Sequence, residues 1–150
     1  MGKTSQLLGF LYKNCYDSGY LSMLRLEKLA YLCDWFSSVY NRRPITDIEW
    51  TIAPSGIKAI SELPEISQKT DLLTEADMRM ALRVIDGFRL KDAGIDRLKP
   101  LANSTYPNFL QPPLGEPLDL VKIADLYREV RNNRAWSDKT VRDQESSSAD

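Results

Sequence analysis

Apolar residues recur at intervals of three and four positions along much of the chain, which is the spacing of amphipathic α-helices. The longest such segment runs from Leu21 to Tyr40 and carries two apolar stripes that together cover most of the helix surface. A helix that is apolar on nearly all sides is usually packed among other elements. We therefore predict a mainly α, compact helical domain around a buried central helix over about 21–40. The stripes are Leu26, Leu29, Ala30, Cys33, Phe36 and Tyr40, and Leu24, Tyr31, Leu32, Trp35 and Val39.

Shorter segments with helical spacing lie on both sides of this helix. Thr74 and Asp77 precede one of them in the arrangement of a capping box, in which two side chains and two backbone amides pair at the helix start. Pro100 is expected to end another, because proline lacks the amide that a helix interior requires. The predicted helices lie at residues 4–16, from 74 to 89, at 94–98, and from about Pro117 onward.

A small two-stranded β-ribbon is predicted after the central helix. Apolar and polar residues alternate from Ile48 to Ile52, with Trp50 at the middle apolar position, which is the period of a half-buried strand. The polar stretch 65–71 is the predicted second strand. A turn is expected at residues 54–56 and a short helix at 57–63.

Proline and polar residues mark the end of the predicted domain. The stretch from Asn103 to Gly115 contains prolines at three positions and is predicted to be a loop. From Ser137 to Asp150 the chain has one sizeable aliphatic residue, which is too little apolar surface to form a core. We predict one domain over residues 1–136 and a disordered polar tail over 137–150.

The composition removes several classes of chemistry. The 150 residues include 20 Lys and Arg, 21 Asp and Glu, and no His, which gives a formal net charge of −1. Without His, the chain has no Ser–His or Cys–His catalytic pair and no His-ligated zinc site. The balanced charge does not favour binding to nucleic acid or to an anionic membrane, since both need a surplus of basic residues. We expect no metal and no cofactor.

The protein is predicted to be cytoplasmic. No apolar run approaches the roughly 18 residues that cross a bilayer, and the first residues lack the apolar stretch of a signal peptide. Cys15 and Cys33 fall at apolar positions of predicted helices. Buried free thiols are therefore expected rather than a disulfide.

Charged residues of the central helix are the candidates for catalysis. Glu27 and Asp34 share a face, but their backbones are about 10.5 Å apart, which exceeds the separation typical of paired glycosidase carboxylates. A hydrogen-bonded, structural Asp34 is the favoured interpretation. Lys28 would be a catalytic amine only if burial lowered its pKa, whereas most such lysines keep the ammonium in water. We predict no catalytic residue, and an enzyme that uses Asp34 or Lys28 stays as an alternative.

The last predicted helix is locally basic. Arg128, Arg131 and Arg134 are spread over about 120° of its surface, and Glu129 interrupts them. An exposed helix end, where the helix dipole favours cations, explains this pattern. Nucleic acid is therefore not the expected partner, and a DNA-binding regulator stays as an alternative.

The aromatic residues favour a protein partner. Trp35 and Trp50 lie at core positions of predicted elements. Trp136 and the stretch from Tyr106 to Phe109 are instead expected on the surface, where aromatic side chains often contribute most of the binding energy of an interface.

Several short motifs, in matching order and spacing, resemble the Panacea domain, the SocA-like group of antitoxins. Residues 28–34, Lys-Leu-Ala-Tyr-Leu-Cys-Asp, are similar to the family's Lys-Leu-Leu-Tyr-x-x-Asp helix, and residues 43–46 with Glu49 and Trp50 are similar to the motif that follows. Residues 52–54, Ile-Ala-Pro, replace the family's Tyr-Gly-Pro turn, and residues 104–107 resemble its Thr-Tyr-Pro element. The matching residues are Lys28, Tyr31, Asp34, Trp50, Pro54, Gly56 and Pro107.

The resemblance implies a mainly helical domain that neutralises a toxin by direct binding and is not an enzyme. Members of this family occur widely in bacteria and in phages or prophages. We therefore predict an antitoxin, with a phage protein that binds a host or defence factor as the alternative. No membrane partner is expected, and self-association stays open. The candidate contact residues are Tyr106, Phe109, Arg131 and Trp136.

Overall fold

The structure is a computed structural model that describes residues 2–15 and 22–133. These residues are mainly helical and include a small two-stranded antiparallel sheet, which confirms the predicted fold class. Trp136 and the predicted tail over 137–150 lie outside the described residues. The elements are α1 (Lys3–Asn14), α2 (Met23–Asn41), β1 (Trp50–Ala53), β2 (Gly56–Ala59), α3 (Glu75–Gly87), α4 (Ile95–Asn103), α5 (Tyr106–Phe109) and α6 (120–133).

Helix α2 is the central helix, as predicted. It contacts α1, α3, α4 and β2, and Leu29 through Trp35 are all buried. The Ser22 hydroxyl accepts a hydrogen bond from the Arg25 amide and caps the first turn. At the other end, Arg42 takes a left-handed conformation with φ 63°, and the chain leaves the helix axis there.

The β-ribbon exists, but its second strand is not the predicted one. Strand β2 pairs with β1 in the register Trp50↔Ala59 and Ile52↔Ile57, so that the predicted helix over 57–63 is wrong. Gly56 has φ 119°, which L side chains rarely adopt and which lets the chain reverse directly after β1. The buried and exposed residues of β2 then alternate, with Ile57 and Ala59 buried.

The predicted strand over 65–71 is also wrong, because this segment packs on α1 instead of pairing with β1. The Ser67 amide donates to the Ser5 carbonyl oxygen at 3.0 Å. Gln6 holds the segment at its far end, where its side chain accepts from the Leu72 amide and donates to Asp71. A side chain at Gly9 would overlap the Ser67 carbonyl, so glycine permits this close approach.

Helices α3 and α4 test the two predictions about helix ends. The capping box of α3 is confirmed: the Thr74 hydroxyl accepts from the Asp77 amide, and the Asp77 carboxylate accepts from the Thr74 amide. The prediction that Pro100 ends a helix is wrong, since α4 continues to Asn103. Leu98 and Ala102 are fully buried on either side of Pro100, and their packing stabilises the helix across the missing amide.

The segment 103–115 is mostly irregular, as predicted, but it includes the short helix α5. After it, α6 begins at residue 120 rather than near Pro117. Asp119 accounts for this start, because its carboxylate accepts from the Lys122 amide and thereby caps the first turn.

Both edges of the ribbon have hydrogen-bond partners from elsewhere in the chain. On the β1 side, the amides of Gly115 and Leu118 donate to the carbonyl oxygens of Ile52 and Trp50. On the β2 side, the Ile57 amide donates to the Asn103 side chain at 3.0 Å, and the Ile57 carbonyl accepts from Lys28. The ribbon therefore depends on contacts with distant segments as well as on its own pairing.

Cys15 and Cys33 are buried free thiols, as predicted. Burial raises the pKa of the Cys15 thiol to about 11 and holds that of Cys33 well above its usual value, so both are protonated at neutral pH. None of the helices within residues 2–15 and 22–133 has the length and apolar character that crossing a bilayer requires.

Candidate protein-binding surface

Asp34 lies at the centre of the junction between α2 and β1. Its side chain is fully buried, and it accepts hydrogen bonds from the amides of Ile45 and Thr46 at 2.9 Å, from the Thr46 hydroxyl at 2.5 Å and from Trp50 Nε1 at 2.9 Å. Burial raises the pKa of this carboxyl to about 6, although the donated hydrogen bonds act in the opposite direction. The structure thus places Asp34 where its oxygens hold the 45–50 segment against α2.

Lys28 joins α2 to the second strand. Its side chain is 6% exposed, and Nζ donates to the Ile57 carbonyl at 2.5 Å and to the Glu27 carboxylate at 2.9 Å. Glu27 and Asp34 therefore have separate sets of partners. Asp34 and Lys28 therefore connect α2 to its surroundings, and Glu27 pairs with Lys28 within the helix.

Tyr31 connects the same junction to α5. Its ring meets the Trp50 ring edge-on, with centroids 5.3 Å apart, and its hydroxyl lies 2.7 Å from the Thr105 hydroxyl, directly before α5. Burial raises the pKa of Tyr31 well above its usual value, so the phenol is neutral and can donate. Lys28, Tyr31 and Asp34, which carry the resemblance on α2, thus contact the ribbon and the start of α5.

The remaining residues of the resemblance lie at the hairpin turn and in α5. Pro54 is exposed in the turn, and Pro107 is buried in α5. A side chain at Gly56 would overlap the Asn103 carboxamide, which also accepts from the Ile57 amide. Sequence reasoning missed Asn103, because nothing in the local sequence distinguishes an asparagine at the end of α4 from an ordinary exposed one.

Four aromatic rings form a continuous row from the core to the surface, which we call the aromatic row. Trp35 contacts Tyr127 with centroids 5.7 Å apart, Tyr127 contacts Tyr106 at 5.4 Å, and Tyr106 stacks on Phe109 at 5.7 Å. Trp35 is 3% exposed, whereas Phe109 is 77% exposed. The structure therefore brings two of the nominated contact residues, Tyr106 and Phe109, into direct contact.

The other two nominated contact residues lie on or beyond α6. Arg131 is exposed one helical turn after Tyr127, in the part of α6 that continues past the core. Trp136 lies outside the described residues. The apolar residues Leu110 and Leu114 follow Phe109 in the chain and are also exposed.

Arg128 holds α6 on the central helix. Sequence reasoning also missed this role of Arg128. Its guanidinium donates to the carbonyl oxygens of Ser38 and Val39 at 3.1 and 2.5 Å and pairs with Asp125. These carbonyls lie in the last turn of α2, where no helical amide follows to bond them. Of the three arginines in this basic helix, Arg128 therefore stabilises the fold by bonding to α2.

A cleft of about 480 Å³ lies beside the aromatic row, between the hairpin turn and the segment that follows α4. Pro54, Ser55 and Gly56 form one wall, and three carboxamide side chains, those of Asn103, Asn108 and Gln111, line it with Leu114. Across residues 2–15 and 22–133, no group of three or more Cys, Asp or Glu side chains is placed to hold a metal ion.

No protein-family model, no curated protein and no solved structure matches this chain. The resemblance to the Panacea domain therefore stays a prediction that depends on the motifs alone.

Proposed function

We propose that this protein is a protein-binding module of the antitoxin type, which neutralises a cognate toxin by direct binding. The observation that carries the proposal is the aromatic row, which ends in a phenylalanine that is 77% exposed. Covering such a side chain in an interface is worth about 1.5–3 kcal/mol. Aromatic side chains are also among those that contribute most to binding.

The fold holds this phenylalanine in place before any partner binds. Tyr106 stacks on Phe109, Tyr127 packs against Tyr106, and Pro107 of the same helix is buried. The Thr105 hydroxyl at the start of α5 is bonded to Tyr31 of the central helix. A contact residue that is already ordered loses little conformational entropy on binding, which favours tight association.

Residues around Phe109 extend the candidate surface. Leu110 and Leu114 supply further apolar contact, and Arg131 supplies a guanidinium that can pair with carboxylates. A stable complex commonly buries about 1,600 Å² in total, so the partner has to reach beyond α5. We place α5, the segment after it and the last described turn of α6 on one interface.

The test is co-expression with the product of the neighbouring open reading frame, followed by growth and copurification assays. We expect the wild-type chain to restore growth and to copurify with the toxin, and we expect Phe109→Ala to lose both. Tyr40→Ala is the matched control, because Tyr40 is also exposed and also stacks on a neighbouring ring, that of Phe36, but at the end of α2.

Thermal unfolding of both variants should match that of the wild type, since each removed ring is largely exposed. The antitoxin proposal is contradicted if the chain does not restore growth against the product of any neighbouring gene and does not bind such a product. Binding to a host protein through Phe109 would instead favour the alternative of a phage protein.

A further inference from the structure

The cleft beside the hairpin has no charged residue in its lining. Its walls are Ile52 to Gly56, the carboxamides of Asn103, Asn108 and Gln111, and the residues Pro112 and Leu114. Charged residues make up 27% of the chain, so a cleft of 480 Å³ without one is a distinct chemical surface. A charged ligand buried in it would lose hydration without gaining an ionic partner.

The carboxamides of the cleft keep hydrogen-bonding atoms that the fold does not use. Asn103 Oδ1 accepts from the Ile57 amide, and Asn108 Nδ2 donates to the Asn103 carbonyl at 2.8 Å. Among the described residues, Asn103 Nδ2, Asn108 Oδ1 and both polar atoms of the Gln111 side chain have no partner. The cleft therefore offers a fixed donor, a fixed acceptor and an adjustable amide.

The two asparagine side chains are held in one orientation. Because Asn103 Oδ1 faces a backbone amide and Asn108 Nδ2 faces a backbone carbonyl, neither carboxamide can rotate by half a turn without losing its bond. Gly56 lies directly against the Asn103 carboxamide and limits its movement further. Preorganised donors and acceptors of this kind cost little to bring into a complex.

We infer that this cleft binds an extended, uncharged main-chain segment of the protein partner, whose N–H and C=O groups pair with the three carboxamides. A peptide unit presents one acceptor and one donor, which match the unused Asn103 Nδ2 and Asn108 Oδ1, and the Gln111 amide can pair with a second peptide unit. Leu114 then contacts an apolar side chain of the bound segment. The inference rests on the proposed function in taking the partner to be a protein, and it adds which chemistry of the partner is recognised.

The probe is a displayed library of random linear peptides, selected on the whole chain. We expect enriched peptides with an uncharged run next to an apolar residue. Their affinity should fall about tenfold or more for Gln111→Glu, which places a carboxylate in the cleft, since each lost or repelled hydrogen bond is worth about that factor. Methylating a peptide nitrogen within the run should cause a similar loss.

Gln68→Glu is the matched control, because Gln68 is exposed on the segment that packs on α1, away from this cleft. It should leave peptide affinity unchanged, and thermal unfolding should show that both variants fold. The inference is overturned when no peptide is enriched, or when enriched peptides bind Gln111→Glu as well as wild type.

The growth assay separates this outcome from the fate of the proposed function. If the wild type restores growth but Gln111→Glu does not change the affinity for peptides, only the inference about the cleft is overturned. Peptide binding of the expected kind, together with a wild-type chain that restores growth against no neighbouring gene product, supports the inference about the cleft and contradicts the antitoxin proposal.

Discussion

Two regions of the molecule use polar side chains in opposite ways. One is the junction between α2 and the ribbon, and the other is the edge formed by α5 and the segment that follows it. At the junction, Asp34 accepts bonds from Ile45, Thr46 and Trp50 and is inaccessible to solvent. At the edge, the Gln111 carboxamide has no partner within the described residues, and Phe109 is largely exposed. Because Asp34 is buried and paired, its oxygens serve the fold, whereas the exposed Gln111 amide is accessible to a ligand.

The same comparison separates the residues of α2 that carry the resemblance from the proposed contacts. Lys28, Tyr31 and Asp34 hold α2 to the ribbon and to α5, whereas the aromatic row and the cleft lie on the surface that those bonds position. The variants below test this separation, from the largest expected effect to the smallest.

The largest effect is expected for Asp34→Ala. The change leaves two backbone amides, the Thr46 hydroxyl and the Trp50 indole without an acceptor in a region closed to water. We expect a loss of about 3–5 kcal/mol in the free energy of unfolding, measured by urea denaturation. Gln111→Ala at the edge should change it by less than about 0.5 kcal/mol. Equal losses at the two positions would remove the distinction between the regions.

A pH-dependent effect of up to about 3 kcal/mol is expected from the same carboxyl. Its pKa is raised from 3.8 to about 6 in the folded protein, so the folded state holds the proton more tightly than the unfolded state. The stability that proton binding to Asp34 adds is therefore complete below about pH 4 and is lost as the pH rises through 6.

Two measurements check this sign. The advantage of the wild type over the non-titrating Asp34→Asn should shrink between pH 4 and pH 7, and carbon NMR of the Asp34 carboxyl should show a midpoint near 6. An advantage that grows over this interval contradicts the assignment of a raised pKa.

The smallest effect is expected for Tyr31→Phe, which removes only the hydroxyl bond to Thr105. The ring keeps its contact with Trp50, and the Thr105 hydroxyl keeps its bond to the Ala102 carbonyl. We expect a loss of about 1 kcal/mol in the free energy of unfolding. Because this bond also fixes the start of α5, copurification with the partner should weaken more than it does for Tyr40→Ala. An unchanged stability would show that the junction and the edge are not linked through this bond.

The sequence predicted the features that depend on neighbouring residues. The buried part of the α2 stripes, the Thr74–Asp77 capping box and the buried Trp50 all follow from local spacing, and the structure confirms them. Leu24 and Tyr40, near the two ends of the helix, are exposed instead. The exposure of Phe109 was also expected from its place in a loop rich in proline.

The features that the sequence did not reveal depend on distant residues. Strand β2 has only four residues, and its outer edge is bonded by Lys28 and Asn103, which lie 29 and 46 positions away. Arg128 bonds carbonyls about 90 positions earlier, so its basic side chain could not be separated from an exposed one by local pattern. The polar stretch 65–71 lacks the alternation of a strand, and its packing depends on the absence of a side chain at Gly9.

The bonds that cover the ribbon have a consequence for how copies of this protein behave at high concentration. An open strand edge can pair with another chain and begin a fibril. Here the carbonyls of Trp50 and Ile52 are occupied by the 115–118 segment, and the peptide groups of Ile57 are occupied by Lys28 and Asn103. Intermolecular strand addition must first displace these internal bonds, which protects the ribbon from aggregation.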